Sequence, residues 1–241
     1  MHNSQTAITI IVPVYNEEES LSRFCQEMDK FLAVAPTPTT VLFVNDGSTE
    51  GSQAIIASTC ARDPRYRYLQ LEKNCGLSTA IKAGIDACHT ELVGYIDADL
   101  QTSPADFNNF FQYFPEHDMV NGIRARRQDT LVKKLSSKLA NAFRRLMIND
   151  GIIDTCCPLK IMKTEYARRI PFFTGMHRFL PALIQLQGGR VRQVPVAHFP
   201  RLAGTAKYHL LNRLIGPFFD TLAFRWMRSR AIRYRIADQS R

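Results

Sequence analysis

The chain reads as an α/β protein, a mostly parallel sheet flanked by helices and followed by a basic amphipathic helical segment. Three observations carry that expectation. Short β-branched or apolar runs alternate with segments of helical periodicity, the pattern of strands joined by crossover helices. The 241 residues suffice for one large domain with a sizeable core. Three of the apolar runs end in acidic, polar turns, at the place where an open α/β sheet keeps its ligand crevice.

The elements follow in order. Ala7 to Val12 is a β-branched strand broken by Pro13. Asn16 is placed to cap the next helix, with Glu19 three residues on completing a capping box, and Leu21, Phe24, Met28, Phe31 and Leu32 share one helical face. A Pro/Thr-rich loop from Pro36 to Thr40 leads into the strand Val41 to Val44 and the turn Asn45-Asp46-Gly47-Ser48. A helix around Ala54 to Cys60 and a strand at Tyr66 to Leu71 come next. Asn74-Cys75-Gly76 then opens a helix whose inner face is Leu77, Ala80, Ile81, Gly84 and Ile85. The strand Leu92 to Ile96 runs into Asp97-Ala98-Asp99. Beyond it the pattern predicts a helix near Pro104 to Phe114, a strand at Asp118 to Gly122 and a basic helix from about Leu131 to Ile148. Phe172 to Ile184 reads either as ordinary core or as a membrane-facing helix.

Charge is unevenly spread. The whole net charge of +9 lies in residues 190–241, which hold eleven Lys/Arg against Asp220 and Asp238, while the other 189 residues hold twenty of each sign. Such a tail points to an anionic partner, either nucleic acid or a phospholipid surface. Within it Leu211, Ile215, Phe218, Leu222 and Trp226 recur at helical spacing among Arg213, Arg225, Arg228, Arg230, Arg233 and Arg235, and Gly216-Pro217 should kink the helix. A basic amphipathic helix with Trp and Phe suits a bilayer interface; the alternative is a helix packed on the core with a solvated basic face. A second basic cluster runs from Arg124 to Arg145. The six cysteines form no C-x-x-C and no His stands at zinc-finger spacing from them, which argues for a reducing compartment and against a zinc module. Cys156-Cys157 reads as a buried small-residue pair. His177, His198 and His209 share no metal-ligand spacing. The first residues lack a basic n-region and no run reaches the roughly 18 apolar residues of a spanning helix, so the chain is expected to be cytoplasmic.

The loops Val14-Tyr15-Asn16-Glu17, Asn45-Asp46-Gly47-Ser48 and Asp97-Ala98-Asp99 each follow a strand and are expected on one edge of the sheet. Tyr15 can cover a base or ribose, Glu17 and Asp46 can accept from ribose hydroxyls or a base N–H, and Asp97, Asp99 and Gln101 offer the hard oxygen donors Mg²⁺ or Mn²⁺ takes beside phosphate oxygens. Singly, each turn could be no more than a cap or a tight turn.

With these segments, and with Asn74-Cys75-Gly76, Gly122-Ile123-Arg124 and Arg201 to Tyr208, the chain resembles the inverting family-2 glycosyltransferases. It is most similar to dolichyl-phosphate mannosyltransferases and bacterial polyprenyl-phosphate sugar transferases. The resemblance implies the nucleotide-diphospho-sugar transferase (GT-A type) fold. It assigns Pro13, Tyr15, Glu17, Asp46, Asp97 and Ala98 to the nucleotide and Asp97, Asp99 and Gln101 to the metal and phosphates. It assigns Arg124 and Lys138 to the acceptor-lipid phosphate, and Arg201 and Lys207 to a loop closing over the diphosphate. Asn45 and Ala206 depart from the family's usual Asp and Ser, and Lys138 stands where close relatives generally carry Arg.

The catalytic domain is thus expected over 1–207 and the membrane-associating segment over 208–241. The expected reaction passes a sugar from a nucleoside diphosphate, uridine before guanosine, to a polyprenyl phosphate at the inner membrane face, beside a separate membrane protein partner. Asp99, Arg124, Lys138 and Asp154 are the catalytic candidates. Asp154 would order the Cys156-Cys157-Pro158 loop or serve as base toward a hydroxyl acceptor. Two rivals remain: a soluble transferase acting on a glycan or protein hydroxyl, and a nucleic-acid-binding protein, which leaves the three acidic loops without a role.

Overall fold

The computed structural model describes residues 6–114, 116–124, 146–200 and 215–232. Its strands are β1 (Ile8–Val14), β2 (Thr39–Asn45), β3 (Tyr66–Gln70), β4 (Leu92–Tyr95), β5 (Met119–Arg124), β6 (Lys160–Lys163) and β7 (Val191–Val196). They form one sheet in the order β3-β2-β1-β4-β6-β5-β7. β6 is antiparallel to both its neighbours, β4 and β5, and every other pairing is parallel. The helices are α1 (Glu18–Val34), α2 (Ser52–Arg62), α3 (Leu77–Ala87), α4 (Thr164–Arg168), α5 (Leu180–Leu186) and α6 (Ile215–Ser229).

The apolar periodicity decides which faces are covered. Leu21, Phe24, Cys25, Met28, Phe31 and Leu32 of α1 are buried on the sheet face that carries Ile10, Val12 and Phe43. Each such side chain contributes about 1.5–3 kcal/mol by leaving water. The opposite face holds Ile11, Val44 and Tyr95 under Ala80, Ile81 and Ile85 of α3, Leu183 of α5 and Phe224 of α6. Gly84 lets α3 approach, since a Cβ there would lie 2.7 Å from the Ile11 side chain. The run Phe172 to Ile184 is core: Met176, Phe179, Leu180, Leu183 and Ile184 are all buried. Both sheet edges are blunted against pairing with another chain, β3 by exposed Arg67 and β7 by exposed Pro195.

Three local expectations are corrected. Asn16 is not the cap of α1: it adopts φ 51°, its amide donates to Ser48 Oγ and its side chain accepts from the Thr49 amide, so the capping box gives way to a joint between two loops. Pro104 to Phe114 forms two 3-10 turns, Pro104–Asn109 and Phe111–Tyr113, rather than one α-helix. The kink expected at Gly216-Pro217 falls at the edge of the described residues, since α6 is described only from Ile215 onward. Cys156 and Cys157 are not a buried pair, the first being exposed and the second buried. The basic helix expected from Leu131 lies outside the described residues up to 145, and residues 146–148 are helical.

Candidate functional site

Parallel pairing brings the acidic loops to one edge. β1 runs in register with β2 to Val14–Asn45 and with β4 to Ile11–Tyr95, so the chain leaves all three strands on the same side. Strand order reverses between β1 and β4, the position where open α/β sheets bind ligands. The loops after β1 and β2 are knitted together: the Glu17 amide donates to Ser52 Oγ at 3.0 Å, the Glu18 amide to Glu50 at 2.9 Å, and the Gly51 amide returns to Glu18 at 3.0 Å.

Asp46 is 3 % exposed and its carboxylate is committed, Oδ1 accepting from the Cys75 amide at 2.7 Å and Oδ2 from the Gly76 amide at 2.8 Å. It therefore ties the start of α3 to the β2 loop in this conformation. Gly47 permits the contact: with φ 67°, its absent Cβ would lie 2.5 Å from the Lys73 carbonyl carbon. Asn45 accepts from the Ser48 amide and donates to Gln53. Tyr15, Glu17 and Pro13 are half-buried at the same edge.

Asp97 and Asp99 are neighbours across the turn after β4. Burial raises the Asp97 carboxyl to about 6, the charge of Asp99 adds to the rise, and Glu17 contributes in the same sense from the β1 loop. Tyr95 Oη donates to Asp97 at 2.6 Å, and burial together with that anion pushes the phenol well above its usual value. The Asp99 carboxylate accepts from the Gln101 amide at 3.1 Å, while Leu100 sits at φ 55°, a left-handed conformation that costs a non-glycine residue energy. Two acids held this close favour an ion between them, and their hard oxygens suit Mg²⁺ or Mn²⁺. Among the described residues no group of three or more His, Cys, Asp or Glu forms a metal cage. A divalent ion here would thus take much of its shell from phosphate and water, as Mg²⁺ does with nucleotides. The Gln101 carbonyl accepts from the Phe199 amide and holds His198, tying the exit of β7 to this turn.

The far side of the site is built by β5 and β6. Arg124 ends β5 and pairs with Asp154 through two parallel contacts, Nε to Oδ2 at 2.8 Å and Nη2 to Oδ1 at 2.9 Å. Both side chains are largely buried. Burial alone would lower the Arg124 guanidinium, but the Asp154 hydrogen bonds and charge hold it above its usual value. Burial likewise favours the neutral form of Asp154, and Arg124 outweighs it, holding the acid below the usual carboxylate range. Asp154 orders this corner and is a weak base at neutral pH. Lys138, Arg201 and Lys207 lie outside the described residues.

Two contributors escaped the sequence reading. Lys160, the first residue of β6, is 1 % exposed beneath the site. Its signal was a lone cation heading the apolar run Leu159 to Met162. Ser78, in the first turn of α3, accepts from the Gly175 amide and is hydrogen-bonded to His177 Nδ1 at 2.8 Å. A single Ser in a helical turn gave no signal.

α6 is fixed to this body and presents a partly exposed apolar flank. Phe224 stacks on Phe179 with centroids 5.5 Å apart, and Asp220 pairs with Arg178. Phe218, Phe219, Leu222 and Trp226 share one outward stripe, with Phe219 62 % and Trp226 64 % exposed. Arg230 lies over the Trp226 ring. No described helix is long and apolar enough to cross a membrane.

Comparison with known proteins agrees with this architecture. The family model described as glycosyl transferase family 2 matches residues 9–170. The chain is 30% identical over 218 residues to the undecaprenyl-phosphate 4-deoxy-4-formamido-L-arabinose transferase of Pectobacterium carotovorum subsp. carotovorum (strain PC1), covering 89% of this chain and 66% of that protein. It is 28% identical over 222 residues to the dodecaprenyl-phosphate galacturonate synthase of Rhizobium johnstonii, covering 90% and 65%. The chain therefore spans just under two thirds of these relatives' length. Among solved structures, mannosyl-3-phosphoglycerate synthase from Rubrobacter xylanophilus superimposes with TM-score 0.72 at 18% identity, covering 98% of this chain and 79% of that one. Glucosyl-3-phosphoglycerate synthase from Mycobacterium tuberculosis, solved with Mn²⁺, uridine diphosphate and glucosyl-3-phosphoglycerate, gives 0.69 at 14% identity, covering 94% and 80%. These likenesses establish the GT-A fold. With the family model covering most of the described sheet, the chain belongs to glycosyl transferase family 2.

Proposed function

We propose that this chain transfers a sugar, with inversion, from a nucleoside diphosphate donor to a polyprenyl phosphate at the cytoplasmic membrane face, using Mg²⁺ or Mn²⁺. The observation that carries the reading is that one sheet edge brings together acidic loops and a buried arginine–carboxylate pair. Glu17, Asp97 and Asp99 stand on one side and the Arg124–Asp154 pair on the other. The two relatives differ in their sugar and share a polyprenyl phosphate in their names, which favours that acceptor and leaves the sugar open. The solved complex with Mn²⁺ and uridine diphosphate favours a uridine donor.

Each part has work of its own. Asp97 and Asp99 would hold the ion with the diphosphate, and a divalent ion there supplies charge neutralisation for the departing nucleoside diphosphate. An acceptor phosphate monoester has a second pKa near 6, so it arrives largely dianionic and needs no base. That requirement suits a site in which the carboxylate beside Arg124, Asp154, is committed to that arginine. Arg124 spends Nε and one Nη2 proton on Asp154, leaving Nη1 uncommitted among the described residues to receive phosphate oxygens. Arg201, Lys207 and Lys138 would add cations around the two phosphate groups. A hydroxyl acceptor would instead require a free general base.

The exposed stripe of α6, flanked by Arg225 and Arg230, would rest at the bilayer interface, with anionic headgroups meeting the arginines. A separate membrane partner would supply any further anchoring.

The test combines transfer and lipid dependence. Wild-type chain, Mn²⁺ and a panel of uridine and guanosine diphosphate sugars are incubated with polyprenyl phosphate in vesicles with and without anionic lipid. The expected result is an inverted, lipid-linked sugar with one nucleotide class, faster on anionic vesicles, and loss of turnover in Asp99→Ala with the fold intact. Near-normal turnover in Asp99→Ala, or transfer indifferent to lipid and made only to hydroxyl acceptors, would refute the proposal.

A further inference from the structure

Beneath the site, three polar residues form a row across the sheet. Tyr95 of β4 and Asn121 of β5 are both directly opposite Lys160 of β6, so the three side chains project from the same face. All three are buried. Among the described residues no carboxylate lies within salt-bridge range of the Lys160 ammonium, and burial lowers its pKa. An unpaired buried cation is costly, and a Met or Leu would fill such a place at lower cost.

What the row holds explains the cost. Lys160 Nζ donates to the carbonyls of Thr155, at 3.2 Å, and Cys157, while Asn121 Nδ2 donates to the carbonyl of Asp154 at 2.9 Å. Three carbonyls of one four-residue loop are thus taken from below by two neighbouring strands. On the opposite face of the sheet Cys157 packs against β5, where a Cβ on Gly122 would fall 2.7 Å from its Sγ. Without the ammonium, the Thr155 and Cys157 carbonyls would lose their partner in a region where both residues are nearly inaccessible. The residue at the loop's start, Asp154, is the one that grips Arg124.

We infer that Lys160 is a positioning residue, whose buried ammonium pins the 154–157 loop and thereby aims the Arg124–Asp154 pair at the acceptor phosphate. The acceptor part rests on the function proposed above, while the pinning of the loop stands apart from it. Two readouts keep them separate. The first is alkylation of Cys157 relative to exposed Cys156, resolved residue by residue by fragmentation mass spectrometry, which needs no substrate. In wild type Cys157 should react far more slowly than its neighbour. In Lys160→Met the ratio should rise about tenfold or more, and in Lys160→Arg, which keeps charge and donors, it should return toward wild type. The second readout is kinetic: Lys160→Met should lose about 10–100-fold in kcat/KM for polyprenyl phosphate, the scale of an ångström-sized misplacement, while Mn²⁺-uridine diphosphate affinity shifts by a much smaller factor, because the Lys160 charge also acts on Asp97. Lys160→Arg should recover part of that loss.

If wild type moves no sugar to polyprenyl phosphate, the function proposed above fails, and the alkylation ratio still decides the pinning. An unchanged ratio in Lys160→Met overturns the inference. So does an equal loss of nucleotide binding and acceptor use, since that marks a general packing role. If Lys160→Met does not fold, Lys160→Gln replaces it with the same two readouts and the same overturning results.

Discussion

Asp46 offers a direct test of how this edge is assembled, because its geometry gives it a structural task where the family resemblance suggests nucleoside contact. Replacing Asp46 with Asn leaves the shape unchanged and turns one accepting oxygen into an NH₂ group. Whichever way the amide sits, it faces the N–H of Cys75 or Gly76, at present 2.7 and 2.8 Å from the carboxylate oxygens. One charge-assisted hydrogen bond is lost and a buried donor is turned against another, at 3 % exposure. Hydrogen bonds to charged groups contribute about 1.5–3 kcal/mol, so a loss of about 2–3 kcal/mol is expected. For a chain of this size each kcal/mol moves Tm by about 2–4 °C, so Asp46→Asn should melt about 5–10 °C lower without any ligand. Thermal denaturation supplies the magnitude, and amide hydrogen exchange at Cys75 and Gly76 locates it. An unchanged Tm with wild-type protection at those amides, coupled to a large loss of nucleotide affinity, would show that the carboxylate is free for the base and that the structural argument is wrong.

Two further outcomes follow from the buried ionisable groups. Asp154→Asn should lower Tm as well as turnover, because it strips Arg124 of its counter-charge in a nearly closed setting, at a cost of about 3 kcal/mol; a variant that loses all turnover at wild-type Tm would instead mark Asp154 as a base. Burial, then Arg178 and Lys160, hold His177 down to about 3. Its neutral form therefore stabilises the fold fully above the unfolded value near 6.5, and that contribution declines as pH falls toward 3. The decline amounts to about 1.4 kcal/mol at pH 5.5. Urea titrations at pH 7.5 and 5.5 should show that difference shrinking by about this amount in His177→Gln, a comparison that subtracts the opposing effect of Asp97. An unaltered difference would mean that His177 is solvated.

Much of the fold was legible because its signals are local and repeat. The α1 positions Leu21, Phe24, Met28, Phe31 and Leu32 are all buried as their 3.6-residue spacing requires. The strand Leu92 to Ile96 and the acidic turn after it stand where an apolar run closing on Asp-x-Asp put them. What failed was the reading of polar residues whose partners are distant in sequence. Asn16 has the chemistry of a helix cap, yet its partners Ser48 and Thr49 lie more than thirty positions away. Pro104 to Phe114 carries enough apolar residues for a helix, but Phe107 and Phe110 are anchored in the core by 3-10 geometry, where a spacing of three keeps both rings on one side.

The site shows the same division more sharply, and its acids explain why. Asp46, Asp97, Asp99 and Asp154 are indistinguishable as residue types, and each follows a strand or a short loop on the same edge. Their environments separate them. Asp46 faces two backbone amides and Asp154 faces a guanidinium, so both are neutralised by the protein itself. Asp97 and Asp99 face each other, with Glu17 nearby, and the buried Lys160, whose Nζ donates to loop carbonyls, acts on Asp97 through its charge alone. Burial and the neighbouring acid both raise the Asp97 carboxyl, so an added cation would ease the cost of holding these charges together. A sequence can mark where carboxylates gather; which of them remains available to a metal depends on the amide or cation that long-range folding places against each one.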